Sequence, residues 1–289
     1  MLRSVLLLLG GVFACSVSAL LIKASSSRAD TLSALRLLMA AALLAPVYLR
    51  ARKHHQSGAW LADFRLAALP ALVLAAHFLT WSWGARHSPV AQASLIVNLA
   101  PIAMPFFLHS LIGERVDRRE IIGTVLTLAG VLLLTARDAI AAGPAPLGNL
   151  VCLGSMLLFT WYLALGRQHR AVPSIWLYIV PVYTVAGLAC GVVSLLRGPD
   201  PALATSREWL LLAGLAVIPT IVGHTLLNRA MRTLRGQIVS LANLGQFVFA
   251  GVLAFVLFRE IPSLVFYVSA SLAAAGVAIA VLRPAPPAS

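Results

Sequence analysis

Apolar residues run along this chain in long unbroken stretches instead of the alternation that a half-buried strand needs. Val5–Leu9 and Ile121–Leu134 are examples. Continuous apolar runs near 20 residues read as helices crossing a lipid bilayer. The stretches fall at 4–22, 32–49, 66–83, 89–111, 120–136, 147–165, 174–196, 208–227, 236–257 and 262–282, numbered below as spans 1 to 10. Polar, basic or Gly/Pro-rich breaks separate them, among them Arg50–Gly58, Gly113–Glu120, Gly143–Pro146, Gly198–Pro201 and Arg229–Arg235. The same pattern favours helices over a spanning β-barrel, whose strands alternate between lipid and lumen.

Two stretches of the chain resemble each other. Ala85, Gln92 and Asn98 match Ala230, Gln237 and Asn243 at one constant offset, and Leu99 then matches Leu244. After a slip of one residue Glu114 matches Glu260, and Gly130-Val131 matches Gly276-Val277. The chain therefore divides into residues 1–143 and 144–289, each with five spans. An odd number of spans per repeat turns the second copy upside down. The expected fold is an all-α membrane protein of ten transmembrane helices in two inverted five-helix repeats. Inverted repeats are a recurrent architecture of secondary transporters, with the solute near the midplane between the halves, and some channels share it.

Composition agrees with lipid as the main solvent. Of 289 residues 60% are hydrophobic and 11% charged, against roughly 25% charged in a soluble domain. Mean hydropathy is +0.92. The net charge of +13 is read as loop charge that orients the spans and meets anionic lipid, not as a nucleic-acid surface. Loops on one side of the bilayer carry fourteen Lys and Arg and those on the other carry seven, which places both termini in the cytoplasm. The N-terminal stretch resembles a signal peptide but runs on to about Ile22, so it reads as an uncleaved first helix. Arg, at 20, far outnumbers Lys, at 2, and Ala is abundant, pointing to a GC-rich bacterial genome and an inner membrane. Cys15, Cys152 and Cys190 lie inside apolar runs as packing residues.

The run WGARHSPVAQASLIVNLAPIAMPFFLHSLIGERVDRREIIGTVLTLAGVLLL, residues 83–134, resembles the EamA domain of the drug/metabolite transporter superfamily. Residues 223–280 are similar to its second repeat, and Arg36 in Ala34-Leu35-Arg36-Leu37-Leu38 sits where many relatives have a second-span arginine. The resemblance implies ten helices, a central cavity lined mainly by spans 1, 3, 4, 6, 8 and 9, and exchange or export of amino acids, related metabolites or drugs. Relatives often carry Glu-Pro where this chain has Gln246-Phe247.

Candidate chemistry inside the spans is sparse. No Asp or Glu lies within them away from their ends, which argues against a carboxylate proton relay. Arg36 either attracts an anionic solute through its guanidinium fork or snorkels from near the outer end of span 2. His77 and Trp81, four apart on span 3, could bond and stack on a solute. The alternative is a histidine held by a neighbouring carbonyl and a tryptophan in the interface belt. His224 and Asn228 form a similar pair on span 8, after Pro219. Ser94, Asn98, Pro101 and Pro105 make a stripe on span 4. Gly236, Ser240, Asn243 and Ala250 make the matching stripe on span 9, with Gln246 beside it. Such stripes line a cavity or let helices approach closely. Trp161 and Tyr162 on span 6 offer an aromatic wall or core packing.

No HExxH, P-loop or GxSxG occurs, and His54-His55 reads as a solvated face, so neither a cofactor, a metal nor an enzymatic step is expected. The expected partners are a small-molecule solute and membrane lipids, with a homodimer left open and no nucleic acid. Alternatives to a secondary transporter are a lipid flippase or membrane enzyme using the same cavity, and a channel.

Overall fold

In the computed structural model the described residues are 2–55, 58–88, 93, 96–97, 99–141, 145–246, 248–249 and 264–281, and their regular structure is entirely helical. Gln92, Ser94, Asn98, Phe247, Ala250 and Glu260, which entered the sequence reading, lie outside the described residues.

Helices coincide with the apolar stretches. Span 1 is Leu2–Ser16 continued by Ser18–Ala24, span 2 is Ala29–His54, and span 3 is Trp60–His87. Span 4 is described over Ala100–Ile112, span 5 over Arg118–Ala141 and span 6 over Pro146–Gln168. Span 7 is Trp176–Leu196, span 9 is described over Gly236–Asn243, and span 10 over Leu264–Val281. Span 8 joins Ser206–Leu215, a π-helical stretch Ala216–His224 and Thr225–Thr233. Pro219 falls within that stretch; with no N–H to donate, it is the local cause of the wider turn. Among the described residues, seven helices are long and apolar enough to cross a membrane. Large apolar side chains such as Phe106, Leu196 and Leu264 lie 71%, 83% and 79% exposed. Lipid, not water, is the medium in which that outward surface is stable.

Span 5 packs on span 10, span 2 on span 7, span 3 on span 6 and span 1 on span 8, while span 4 touches spans 6 and 9 and span 9 touches span 1. Exchanging each span for the one five places away reproduces this set of neighbours. Equivalent spans also run antiparallel. Thr31 meets Ser194 at 3.0 Å between hydroxyls, whereas Leu38, further along span 2, packs on Gly187, earlier on span 7. Gly123 of span 5 lies on Gly276 of span 10, and Gly130 lies on Ser269. The offset that aligns the repeats pairs Gly123 with Ser269 and Gly130 with Gly276, so each position touches the equivalent of the other, as in a two-fold contact. Small residues are needed there, since a Cβ on Gly130 would come within 2.6 Å of the Ser269 carbonyl.

The three cysteines are buried and unbridged, as packing residues are. His54 and His55 are exposed, as the sequence suggests.

Candidate functional site

The largest fully buried side chain is that of Arg36. Its position early in span 2 suggested snorkelling to the outer interface, and the structure overturns that reading. The side chain points inward, and its Nε donates to Thr220 Oγ1 at 2.9 Å. Thr220 lies fourteen residues after Ser206 and thirteen before Thr233, the middle of span 8. Nη1 lies 3.5 Å from Ser18 Oγ, and the Phe78 ring faces Cζ at 4.2 Å. Nη2 has no hydrogen-bond partner. Among the described residues no carboxylate pairs with it.

The π-helical turn of span 8 supplies the surroundings. Thr220 Oγ1 donates to the Leu215 carbonyl at 2.8 Å and accepts from Arg36. The carbonyl of Thr220 accepts from Tyr183 OH at 2.9 Å. His224 follows, with its ring 5.1 Å from Phe78, 5.7 Å from Phe159, 6.1 Å from Tyr162 and 6.4 Å from His77. Asn228 donates from Nδ2 to Tyr162 OH at 2.7 Å and to the His224 carbonyl at 2.9 Å. That second bond fixes which end of the amide is Oδ1, and Oδ1 is buried with no partner, as is His224 Nδ1. Gly166 lets Asn228 approach, because a Cβ there would collide with Oδ1.

His77 is bonded to a neighbouring backbone carbonyl, that of Ser155 on span 6. Its Nδ1 lies 3.0 Å from the Ser155 carbonyl, which only accepts, so Nδ1 carries the proton. Ser155 Oγ donates in return to the His77 carbonyl at 3.1 Å. The pair clamps spans 3 and 6 beside the cluster. Trp81 shares a helix face with His77 but belongs elsewhere: one turn outward, it packs on Ile22, Leu32, Leu212 and Leu215. Trp161 stacks on Phe107 at 6.2 Å, in the core between spans 4 and 6. Asn243 Oδ1 accepts from Gln246 Nε2 at 2.8 Å, a local pair on span 9, and Ser240 Oγ is buried without a partner. Asn98 lies outside the described residues.

Arg36, His77, Tyr162, His224 and Asn228 thus come together, while Trp81, Trp161 and the Asn243–Gln246 pair do not join them. Phe78, Phe159, Tyr183 and Thr220 were not legible beforehand, since a single aromatic or threonine in an apolar run carries no distinguishing pattern.

Carboxylates tie the first five spans to the last five at both ends of this cluster. At one end Glu208 accepts from Ser25 Oγ at 2.5 Å, Ser26 N at 2.9 Å and Ser27 Oγ at 3.0 Å, and Asp30 pairs with Arg197 at 3.0 Å. At the other end Arg167 Nε donates to Glu114 Oε2, and Gly236 N donates to Glu114 Oε1 at 3.0 Å. Glu120 there accepts from Arg235 through both carboxylate oxygens. Asp117 and Glu120 also form a reciprocal capping box at the start of span 5, each backbone N–H meeting the other's carboxylate at 2.9 Å. The sequence reading took the loop arginines for orientation signals; Arg167, Arg197 and Arg235 serve as ties as well.

The comparisons with known proteins follow the same lines. The aromatic amino acid exporter YddG of Ancylobacter novellus is 25% identical over 146 residues, which is 50% of this chain and 50% of that protein. The chain thus matches about half the length of that curated relative. An uncharacterized transporter of Archaeoglobus fulgidus is 27% identical over 198 residues, 68% of each protein. A solved crystal structure superimposes with a TM-score of 0.78, covering 96% of this chain and 97% of that one at 19% identity, a likeness of fold. Finally, the sequence pattern of the EamA-like transporter family matches twice, over residues 2–136 and 146–282, so the chain belongs to the EamA-like transporter family and is a multi-pass membrane protein.

Proposed function

We propose that this protein is a secondary transporter that moves a small organic metabolite, such as an amino acid, across the bacterial inner membrane by alternating access. In this reading residues 1–143 and 144–289 are oppositely oriented five-helix halves, ten spans in all, with both termini cytoplasmic. The antiparallel two-fold contacts of spans 2 with 7 and 5 with 10 support it, because parallel repeats would pair equivalent spans head to head. Arg36, His77, Tyr162, His224 and Asn228 hold the solute at mid-depth, with Asn98, Asn243 and Gln246 along the seam and Trp161 in the wall behind. Trp81 belongs to the outer approach.

One observation carries the reading: a buried polar and aromatic cluster, drawn from both halves, keeps unpartnered hydrogen-bonding atoms at the depth where lipid makes them costly. A solute that supplies those partners is the simplest account. The exporter named among the relatives handles aromatic amino acids, and Phe78, Phe159 and Tyr162 give this cluster an aromatic character. Purified protein in liposomes, offered radiolabelled amino acids and organic acids, should show saturable uptake that unlabelled solute on the far side accelerates. Flux that rises linearly without saturation would mean a channel, and absence of flux for every class would remove the proposal.

A further inference from the structure

Arg36 presents a charge problem that transport in general does not solve. Its guanidinium is 0% exposed. The acids on spans 2 and 8 are committed elsewhere, Asp30 to Arg28 and Arg197, and Glu208 to Ser25 and Ser27. What it has is one hydroxyl on Nε, one distant hydroxyl on Nη1 and an aromatic face, with Nη2 unpartnered. A guanidinium does not escape by losing its proton as an amine or imidazole does. Both ends of the surrounding cluster are tied shut, by Glu208 and Asp30 at one and by Glu114 and Glu120 at the other.

We infer that Arg36 is the anchor for a solute carboxylate, and that the protein closes around Arg36 readily only when the carboxylate is there. It then works as an exchanger, trading one carboxylate for another, and does not return empty. This rests on the transporter reading above. A lone cation sealed from water is far less stable than the same cation forked onto a carboxylate, since the pair shares its desolvation and meets the free N–H groups. Alternating access passes through a state closed at both ends in each direction. An empty carrier reaches that state with the charge unpaired, and a loaded one with the charge matched. Phe78, Phe159 and Tyr162 surround the His224 ring and make the cluster beside Arg36 aromatic. Asn228 Oδ1, one turn beyond His224, is a second buried atom without a partner.

The test compares acids with their primary amides, which keep the shape and lose the negative charge. Proteoliposomes with the membrane potential clamped at zero are loaded with L-phenylalanine, L-leucine or hydrocinnamate, or left empty. Uptake of the same labelled acid is then timed. At least one acid should enter loaded vesicles about tenfold faster than empty ones, and its amide should neither compete nor accelerate. Arg36→Gln should lose the acceleration, and Arg36→Lys should keep part of it. The acid-to-amide comparison uses only unaltered protein, so a misfolded variant does not blur it. Equal rates into empty and loaded vesicles, or amides as effective as acids, overturn the inference. If no acid moves while another solute shows saturable flux, the inference falls and the transporter reading stands. If nothing moves, both fall.

Discussion

Glu114 offers the sharpest perturbation of the closed arrangement. In Glu114→Ala the Arg167 guanidinium loses its carboxylate, two contacts of 2.9 Å, and the first N–H of span 9 loses its acceptor at 3.0 Å. Arg167 and Glu114 are 8% and 13% exposed, so the pair is largely sheltered. Removing one partner of a well-buried pair costs about 3–5 kcal/mol, and an exposed pair contributes up to about 1. An amide bond to a charged acceptor adds about 1.5–3. Arg167 keeps its bond to the Met231 carbonyl at 2.9 Å, which offsets part of that cost. A net loss of about 2 kcal/mol from the closed state is therefore reasonable, and the open state, where these groups are hydrated, loses little. That shifts the closed-to-open ratio roughly 30-fold, at tenfold per 1.4 kcal/mol. The readout is a cysteine at Ser240, one turn inside Gly236, with Cys15, Cys152 and Cys190 replaced by alanine. Its reaction with a membrane-impermeant thiol reagent, added from the Glu114 side, should quicken by at least tenfold in Glu114→Ala. Glu114→Gln, which keeps the acceptor for Gly236, should fall between. A rate within twofold of the parent would show that Glu114 holds nothing shut.

Two further outcomes follow from the packing. Gly276→Ala places a methyl against Thr127 and the Gly123 carbonyl, so stability should fall by about 1–3 kcal/mol, read as a lowered midpoint of thermal unfolding in detergent; an unchanged midpoint would contradict the close span 5–span 10 contact. Tyr162→Phe removes an acceptor from Asn228 and should cost about 1 kcal/mol in the same assay, while a gain in stability would mean that bond does not form.

The spans and the repeat were legible because lipid imposes a simple rule on sequence: about 20 apolar residues without interruption. The constant offset between Gln92–Asn98 and Gln237–Asn243, followed after a slip of one residue by Gly130 and Gly276, exposed the two copies, and the two-fold contact of spans 5 and 10 uses the same glycines. Depth and direction of side chains were harder. Arg36 reads as near a helix end until its reach to Thr220 is known, and that reach depends on the π-helical turn around Pro219. His77 and Trp81 share a face, yet one turn of rise separates a buried polar cluster from an apolar one. The ties made by Glu114, Glu120 and Glu208 were hidden because a loop carboxylate looks the same in sequence whether solvated or buried. The Asp117–Glu120 spacing, a capping-box pattern, was the one available hint.

The account as a whole depends on the second half being upside down relative to the first. Ser26 follows span 1 and Ala171 follows span 6, equivalent places in the two halves, and both are exposed. Single cysteines at Ser26 and at Ala171, in a chain otherwise free of cysteine, should react with an impermeant thiol reagent from opposite faces of sealed membranes, Ser26→Cys from outside and Ala171→Cys from inside. Labelling of both from the same face would contradict the inverted arrangement, and with it the seam on which the transport site is built.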